Sequence, residues 1–126
     1  MSAVARTRLW QNRSRSLNMR ARAFQAEGHL SGPDLREIVR RDHSRCVYCN
    51  IPLDYEAGSQ NGNGNGLASF DHIIRLCDGG SNTFANVVCA CRDCNQRNAA
   101  KSRADPNEAA VERLRWFLAR KPGRTA

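Results

Sequence analysis

Apolar residues recur along the first part of the chain with a helical period. Trp10, Leu17 and Phe24 stand seven residues apart and predict an apolar stripe on a helix over residues 3 to 27. Arg8, Arg15 and Arg22 repeat at the same interval, about 160° around the helix from that stripe by the rotation per residue. They form either an arm laid on phosphates or a solvated face, and the pattern alone favours neither. Gly28 is expected to end the helix. Ser31-Gly32-Pro33-Asp34 is then a second helix start, with proline in the first turn and an acid near the N-terminus. Leu35, Ile38 and Val39 supply the apolar positions of this second helix.

Further on the period changes. Residues 69 to 76 alternate as a strand does, with Phe70 and Ile73 as candidates for the buried side, and Val87 to Ala90 make a second short strand. Asp78-Gly79-Gly80-Ser81-Asn82 between them is a loop by composition. A short helix is expected over Asn95 to Ser102. Asp105-Pro106-Asn107-Glu108 resembles a capping box, and Ala110, Val111, Leu114, Phe117 and Leu118 give the helix after it an apolar face suited to the core. The tail from Lys121 is expected to fray. Gln60 to Gly66 reads Gln-Asn-Gly-Asn-Gly-Asn-Gly, a loop with no apolar content to bury, although Asn-Gly also marks hairpin turns.

The expected class is α+β. Basic helices occupy 1–44, and a core spans 45–103 with a flexible loop at 58–67. A C-terminal helix and tail follow over 104–126, all within one compact domain. A core of this size benefits from a metal staple.

Charge adds a partner class. The net charge is +8, and every basic residue except Lys101 and Lys121 is an arginine. A guanidinium fork matches phosphate oxygens, so the balance points modestly toward nucleic acid. No apolar run is long enough to cross a membrane, and the basic N-terminus lacks the apolar run of a signal peptide. The expectation is a reducing cytoplasm, where six cysteines serve as metal ligands or core residues rather than disulfides.

The cysteines define a site. Cys46-Val47-Tyr48-Cys49 and Cys91-Arg92-Asp93-Cys94 are two Cys-x-x-Cys pairs. Each spacing turns two sulfurs toward one ion, two such turns complete a tetrahedron, and four thiolates select Zn²⁺ over Mg²⁺ or Ca²⁺. Of the remaining two, Cys89 lies in the apolar run Val87-Val88-Cys89-Ala90 and is expected in the core. Cys77 is either a core residue or a loop thiol. His43, just ahead of the first pair, is a competitor for a ligand position or a phosphate contact. His29 is expected to be exposed, and neither of these histidines is expected to be catalytic.

Between the pairs stands Phe70-Asp71-His72-Ile73-Ile74, a carboxylate beside an imidazole that titrates near neutral pH. It is followed in order by Gly79-Gly80, Asn86-Val87-Val88 and Cys91-x-x-Cys94-Asn95. Over residues 45 to 102 this ordered set resembles the HNH endonucleases of the ββα-metal (His-Me finger) group, in the subgroup with two Cys-x-x-Cys pairs.

The resemblance implies a small ββα-metal finger on a zinc knuckle, flanked by the terminal helices. It makes His72 the general base that activates water, and Asp71 a ligand of a catalytic Mg²⁺ or Mn²⁺. Asn86 is the asparagine that pins the hairpin loop and so orients the histidine. Asn95 takes the third position, as second ligand, which gives an H-N-N variant. Arg75 stands where proline is usual, and Asn98 where lysine is common, with Lys101 one turn further. Arg75, Arg97 and Lys101 are the expected DNA contacts. The implied activity is endonucleolytic hydrolysis of DNA leaving 5′-phosphate and 3′-hydroxyl ends, in a phage or bacterial setting, with phage packaging or other nucleic-acid machinery as a candidate partner. The alternative is a catalytically inactive zinc-dependent DNA-binding module.

Overall fold

A computed structural model describes residues 2–56 and 68–97. The Gly/Asn-rich loop 58–67, Asn98, Lys101 and the expected C-terminal helix and tail lie outside the described residues. Helix α1 spans Ala3–Ala23 and α2 spans Gly32–Arg41. Strand β1 is Ala68–His72 and β2 is Val87–Cys91, with a 3₁₀ turn at Leu76–Asp78 between them. Residues 92–97 are helical. The expected α+β class is borne out. No helix among the described residues is long and apolar enough to cross a membrane.

Helix α1 begins at Ser2, whose hydroxyl accepts from Ala5 N at 3.0 Å. It stops before Gly28. Gln25 takes a left-handed backbone (φ 55°). Ala26 N bonds Ala21 O at 2.9 Å and Gln25 N bonds Arg22 O at 3.0 Å, the paired bonds of a Schellman ending. The helix is therefore shorter than the spacing predicts, and its stripe is truncated. Trp10 and Leu17 are buried, whereas Phe24 is 51% exposed. Arg8, Arg15 and Arg22 are exposed, and so is His29.

Gly28 has a different task. Its φ is 98°, and a Cβ there would lie 2.4 Å from Asn82 O. The α1–α2 connection thus runs directly against the loop between the strands, where Asn82 N bonds Glu27 O at 2.7 Å. Helix α2 opens with a capping box. Ser31 Oγ accepts from Asp34 N at 3.1 Å while Asp34 Oδ2 accepts from Ser31 N at 2.9 Å, with Pro33 in the first turn as the sequence predicts.

The strands form an antiparallel pair in the register Ala68↔Cys91, Phe70↔Cys89 and His72↔Val87. Strand β2 is buried throughout and packs beneath α2. Trp10, Leu17, Leu30, Leu35, Ile38, Tyr55, Phe70, Val87 and Cys89 make up one core. Val47, Ile73 and Val88 form a smaller cluster. Phe70 and Ile73 are both buried, as expected, but in different clusters, with Ile73 just beyond the end of β1.

Polar groups fix the packing as well. Asp42 is fully buried at the end of α2, where it accepts from Cys89 N at 3.0 Å and from the Arg41 guanidinium at 2.9 Å. Arg13 lies with its guanidinium carbon 5.2 Å from the Tyr55 ring centroid and donates to Tyr55 O at 2.7 Å. This arginine of α1 is committed to the fold rather than to the surface.

A candidate metal-dependent nuclease site on a four-cysteine knuckle

The first cysteine pair lies on a tight turn closed by Asn50 N to Cys46 O at 2.9 Å, with Asn50 in the left-handed region (φ 69°). Arg45 and Pro52 bridge across its base, and Val47 N bonds Cys89 O at 3.0 Å, which docks the turn on β2. The second pair spans the end of β2 and the start of the following helix. Cys94 N donates to Cys91 Sγ at 3.4 Å, so a ligand sulfur also serves the helix N-terminus. That helix opens at residue 92, three residues earlier than the sequence predicts.

The two turns bring Cys46, Cys49, Cys91 and Cys94 together, with all four sulfurs within 4.8 Å of one another. Cys49 Sγ and Cys91 Sγ are 3.8 Å apart. A tetrahedral zinc with bonds of about 2.3 Å sets its sulfurs roughly 3.8 Å apart, so the donor set and its spacing suit that ion. Burial pushes the Cys91 and Cys94 thiols up. At Cys49 burial acts in the same sense but is outweighed, mainly by a hydrogen bond from the Ile51 backbone, and the thiol lies below its ordinary range. Partly desolvated thiolates need a cation to offset the cost of ionisation, which the cluster is built to receive. His43 has a left-handed backbone and lies outside this cluster. Cys89 is fully buried and Cys77 is exposed on the 3₁₀ turn.

The hairpin carries the second group. Asp71 and His72 end β1. Neighbours on a strand face opposite ways, yet at this strand end both border one cavity of about 140 Å³. Asn95 borders it from the helix, Arg20 and Phe24 from the end of α1, and Arg75 from the loop. A larger cavity of about 600 Å³ between Trp10, Arg36, Arg40 and Tyr55 contains none of the expected site residues.

The Asp71 carboxylate receives the Tyr48 hydroxyl, donated from inside the first Cys-x-x-Cys. His72 is 6% exposed and its Nε2 lies 3.0 Å from Asn82 Oδ1. Burial holds the His72 imidazole below the usual histidine range, against the hydrogen bond to Asn82 and with help from the positive charge of Arg20. The shift favours the neutral form of the ring. Asn95 Nδ2 donates to Ser69 Oγ and Phe70 O, each at 3.2 Å. This commits the amide nitrogen to β1 and leaves Oδ1 to act as a ligand atom.

Asn86 ties the loop. Its Oδ1 accepts from Ile74 N at 2.8 Å, and its Nδ2 donates to Ile74 O at 2.9 Å and to Ser81 O at 2.8 Å. This explains why β1 ends at His72 instead of continuing to residue 76: the Ile74 backbone groups pair with an amide and not with a strand. Gly80 is packed into the same knot, since a Cβ there would sit 1.8 Å from Ile74 O.

Of the expected DNA contacts, Arg75 borders the cavity and pairs with Asp78 at 2.7 Å. Arg97 stands by the knuckle, 3.1 Å from Asp93 and 3.5 Å from Cys94 Sγ. Lys101 lies outside the described residues.

Sequence reading misses Tyr48, Arg20, Asn82 and Asn18. Tyr48 is hidden inside a metal motif and Asn82 inside a turn-forming composition. Asn18 carried one signal, since Trp10, Ser14, Leu17, Asn18 and Ala21 are the buried positions of α1 and two of them are polar. A polar residue on a buried helix face needs a specific partner.

Residues 46–101 match the family described as HNH endonuclease. The chain is also 29% identical over 97 residues to the CRISPR-associated endonuclease Cas9 of Corynebacterium diphtheriae, a match covering 75% of this chain. The chain spans 7% of that relative's length. No solved structure matches the chain. The order of motifs and the four-cysteine cluster agree with the match to the HNH endonuclease family over residues 46–101.

Proposed function

We propose that the chain is a metal-dependent endonuclease that hydrolyses phosphodiester bonds in DNA at the cavity bordered by Asp71, His72 and Asn95. The observation that carries this reading is the shared cavity itself. A carboxylate, a buried imidazole and a side-chain amide border one cavity between the end of β1 and the helix that follows the second cysteine pair. In this reading neutral His72 takes a proton from the attacking water. Asp71, held by Tyr48, and Asn95, held by β1, are the two ligands of a Mg²⁺ or Mn²⁺ ion. When bound, that ion relieves charge on the scissile phosphate and on the leaving 3′ oxygen. Asn86 fixes the loop that follows His72, and Arg20 and Arg75 favour an anionic substrate at the rim.

The four cysteines hold a structural Zn²⁺ that takes no part in the chemistry and fixes β2 against the helix bearing Asn95. Thiol ligands of this kind suit a reducing, cytoplasmic compartment. A phage or bacterial nucleic-acid machine is the proposed setting, with Lys101 and Arg97 as further backbone contacts.

Supercoiled plasmid incubated with the protein in Mg²⁺ or Mn²⁺, against EDTA, tests the reading. Nicking is expected with the metal, and His72→Ala is expected to abolish it while zinc content and fold persist. Equal nicking by wild type and His72→Ala would sink the assignment. Binding without nicking in any metal would favour a DNA-binding module instead.

A further inference from the structure

The ring of His72 has two nitrogens, and only the one without hydrogen can accept a proton. Which one that is depends on the partner of the other. Here the partner is Asn82 Oδ1, 3.0 Å from Nε2 and fully buried. An asparagine amide can turn over and present nitrogen in place of oxygen, so the bond alone does not fix the ring. The next residue does. Asn82 Nδ2 donates to Asn18 Oδ1 at 2.8 Å. Asn18, 4% exposed, is locked by a backbone: its Oδ1 accepts from Leu30 N at 3.0 Å, and its Nδ2 donates to Leu30 O at 2.9 Å and to Ser14 Oγ at 3.1 Å. A peptide group cannot exchange its donor and acceptor. Leu30 therefore sets which way Asn18 faces, Asn18 sets Asn82, and Asn82 can offer His72 only oxygen.

We propose that Asn18 and Asn82 are positioning residues, a buried amide relay from α1 that holds His72 as the Nε2–H tautomer and places the lone pair on Nδ1. This rests on the nuclease reading only for its consequence in catalysis. The relay itself is a statement about the ring. It also gives α1 a part in the site that Gly28 supports, since the close approach of Gly28 to Asn82 O seats the loop at the depth where Asn82 reaches both partners. For metal-ligating histidines, loss of such an orienting partner typically costs about 10–100-fold in metal affinity or activity, and a loss of that order is expected here.

The test uses the zinc-loaded full chain, labelled with ¹⁵N, and long-range proton–nitrogen correlation of the imidazoles at neutral pH. His72→Gln identifies the His72 signals among the three histidines. Wild type is expected to show the Nε2–H form. Asn82→Ala and Asn18→Ala are expected to give a mixture with the Nδ1–H form and at least a tenfold fall in kcat for plasmid nicking, with KM for DNA changed less than twofold. A wild-type ring in the Nδ1–H form overturns the relay, as does an unchanged tautomer in both alanine variants. If either alanine variant does not retain zinc and fold, the wild-type spectrum and the other variant decide. A protein that never nicks DNA but shows the expected tautomers sinks the nuclease reading and leaves the relay standing.

Discussion

Asn86 meets both backbone groups of Ile74 with one amide, accepting from its nitrogen at 2.8 Å and donating to its oxygen at 2.9 Å. The contact mimics one rung of a sheet, lies two residues after the histidine of the proposed site and stops β1 at that histidine. Asn86→Asp turns the donor into a second acceptor facing Ile74 O and Ser81 O. A loss of about 1–3 kcal/mol is expected, the cost of unpaired buried polar groups, read as a lower midpoint in urea unfolding. Nicking is expected to fall further than stability does, because the loop sets the end of β1.

Gly79 and Gly80 look equivalent in sequence and are not. Gly79 has φ 89° and open space around a built Cβ, so Gly79→Ala costs only backbone strain, about 1–2 kcal/mol. In Gly80→Ala the new methyl would meet Ile74 O at 1.8 Å and Asn86 Nδ2 at 2.8 Å. Backbone must move, and the Asn86 knot opens with it. Thermal melts of the two variants should separate them, with Gly80→Ala the lower and the only one that loses nicking.

The acid limb of the nicking profile reports His72. Burial lowers its affinity for protons, and Arg20 lowers it further. The limb is therefore expected below the free histidine value of about 6.5. Arg20→Ala removes one lowering influence and should move the limb upward in a pH–rate series. Stability follows the same sign. The folded chain binds fewer protons at His72 than the unfolded chain, so stability falls as pH drops from about 6.5 toward the folded value. His72→Gln should flatten that part of the stability curve.

Metal removal should separate two losses. Zinc-loaded protein assayed without added Mg²⁺ or Mn²⁺ is expected to show no nicking with the melting curve unchanged. A chelator strong enough to take zinc should abolish the cooperative transition, because the knuckle joins the first turn, β2 and the helix after it. Cys91→Ser should behave as the zinc-free chain, with metal content below one equivalent by elemental analysis. Cys77→Ser, at an exposed cysteine outside the cluster, should shift stability by no more than about 0.5 kcal/mol.

The knuckle cysteines and the order Asp71, His72, Asn86, Asn95 were legible in the sequence because metal ligation and tight loops require fixed residue types at fixed spacings. The start of α2 was legible for the same reason, since Ser31 and Asp34 cap each other locally. The end of α1 was not. Gly28 carries the usual stop signal, but the Schellman bonds close at Gln25, and the glycine is required by a loop more than fifty residues away. Tyr48 and Asn82 were hidden because their partners come from other segments. No local pattern marks a hydroxyl inside a cysteine turn as the support of Asp71.

The first helix has a consequence for where the cooperative unit ends. The matched segment begins at Cys46, but Trp10 and Leu17 fill the main core, Asp42 caps the Cys89 amide, and Asn18 sits beneath Asn82. A fragment trimmed to the matched boundary would keep every metal ligand and every proposed reacting group, yet expose one wall of its interior to water. Transplanted into another protein, these 56 residues would need a host able to replace that wall.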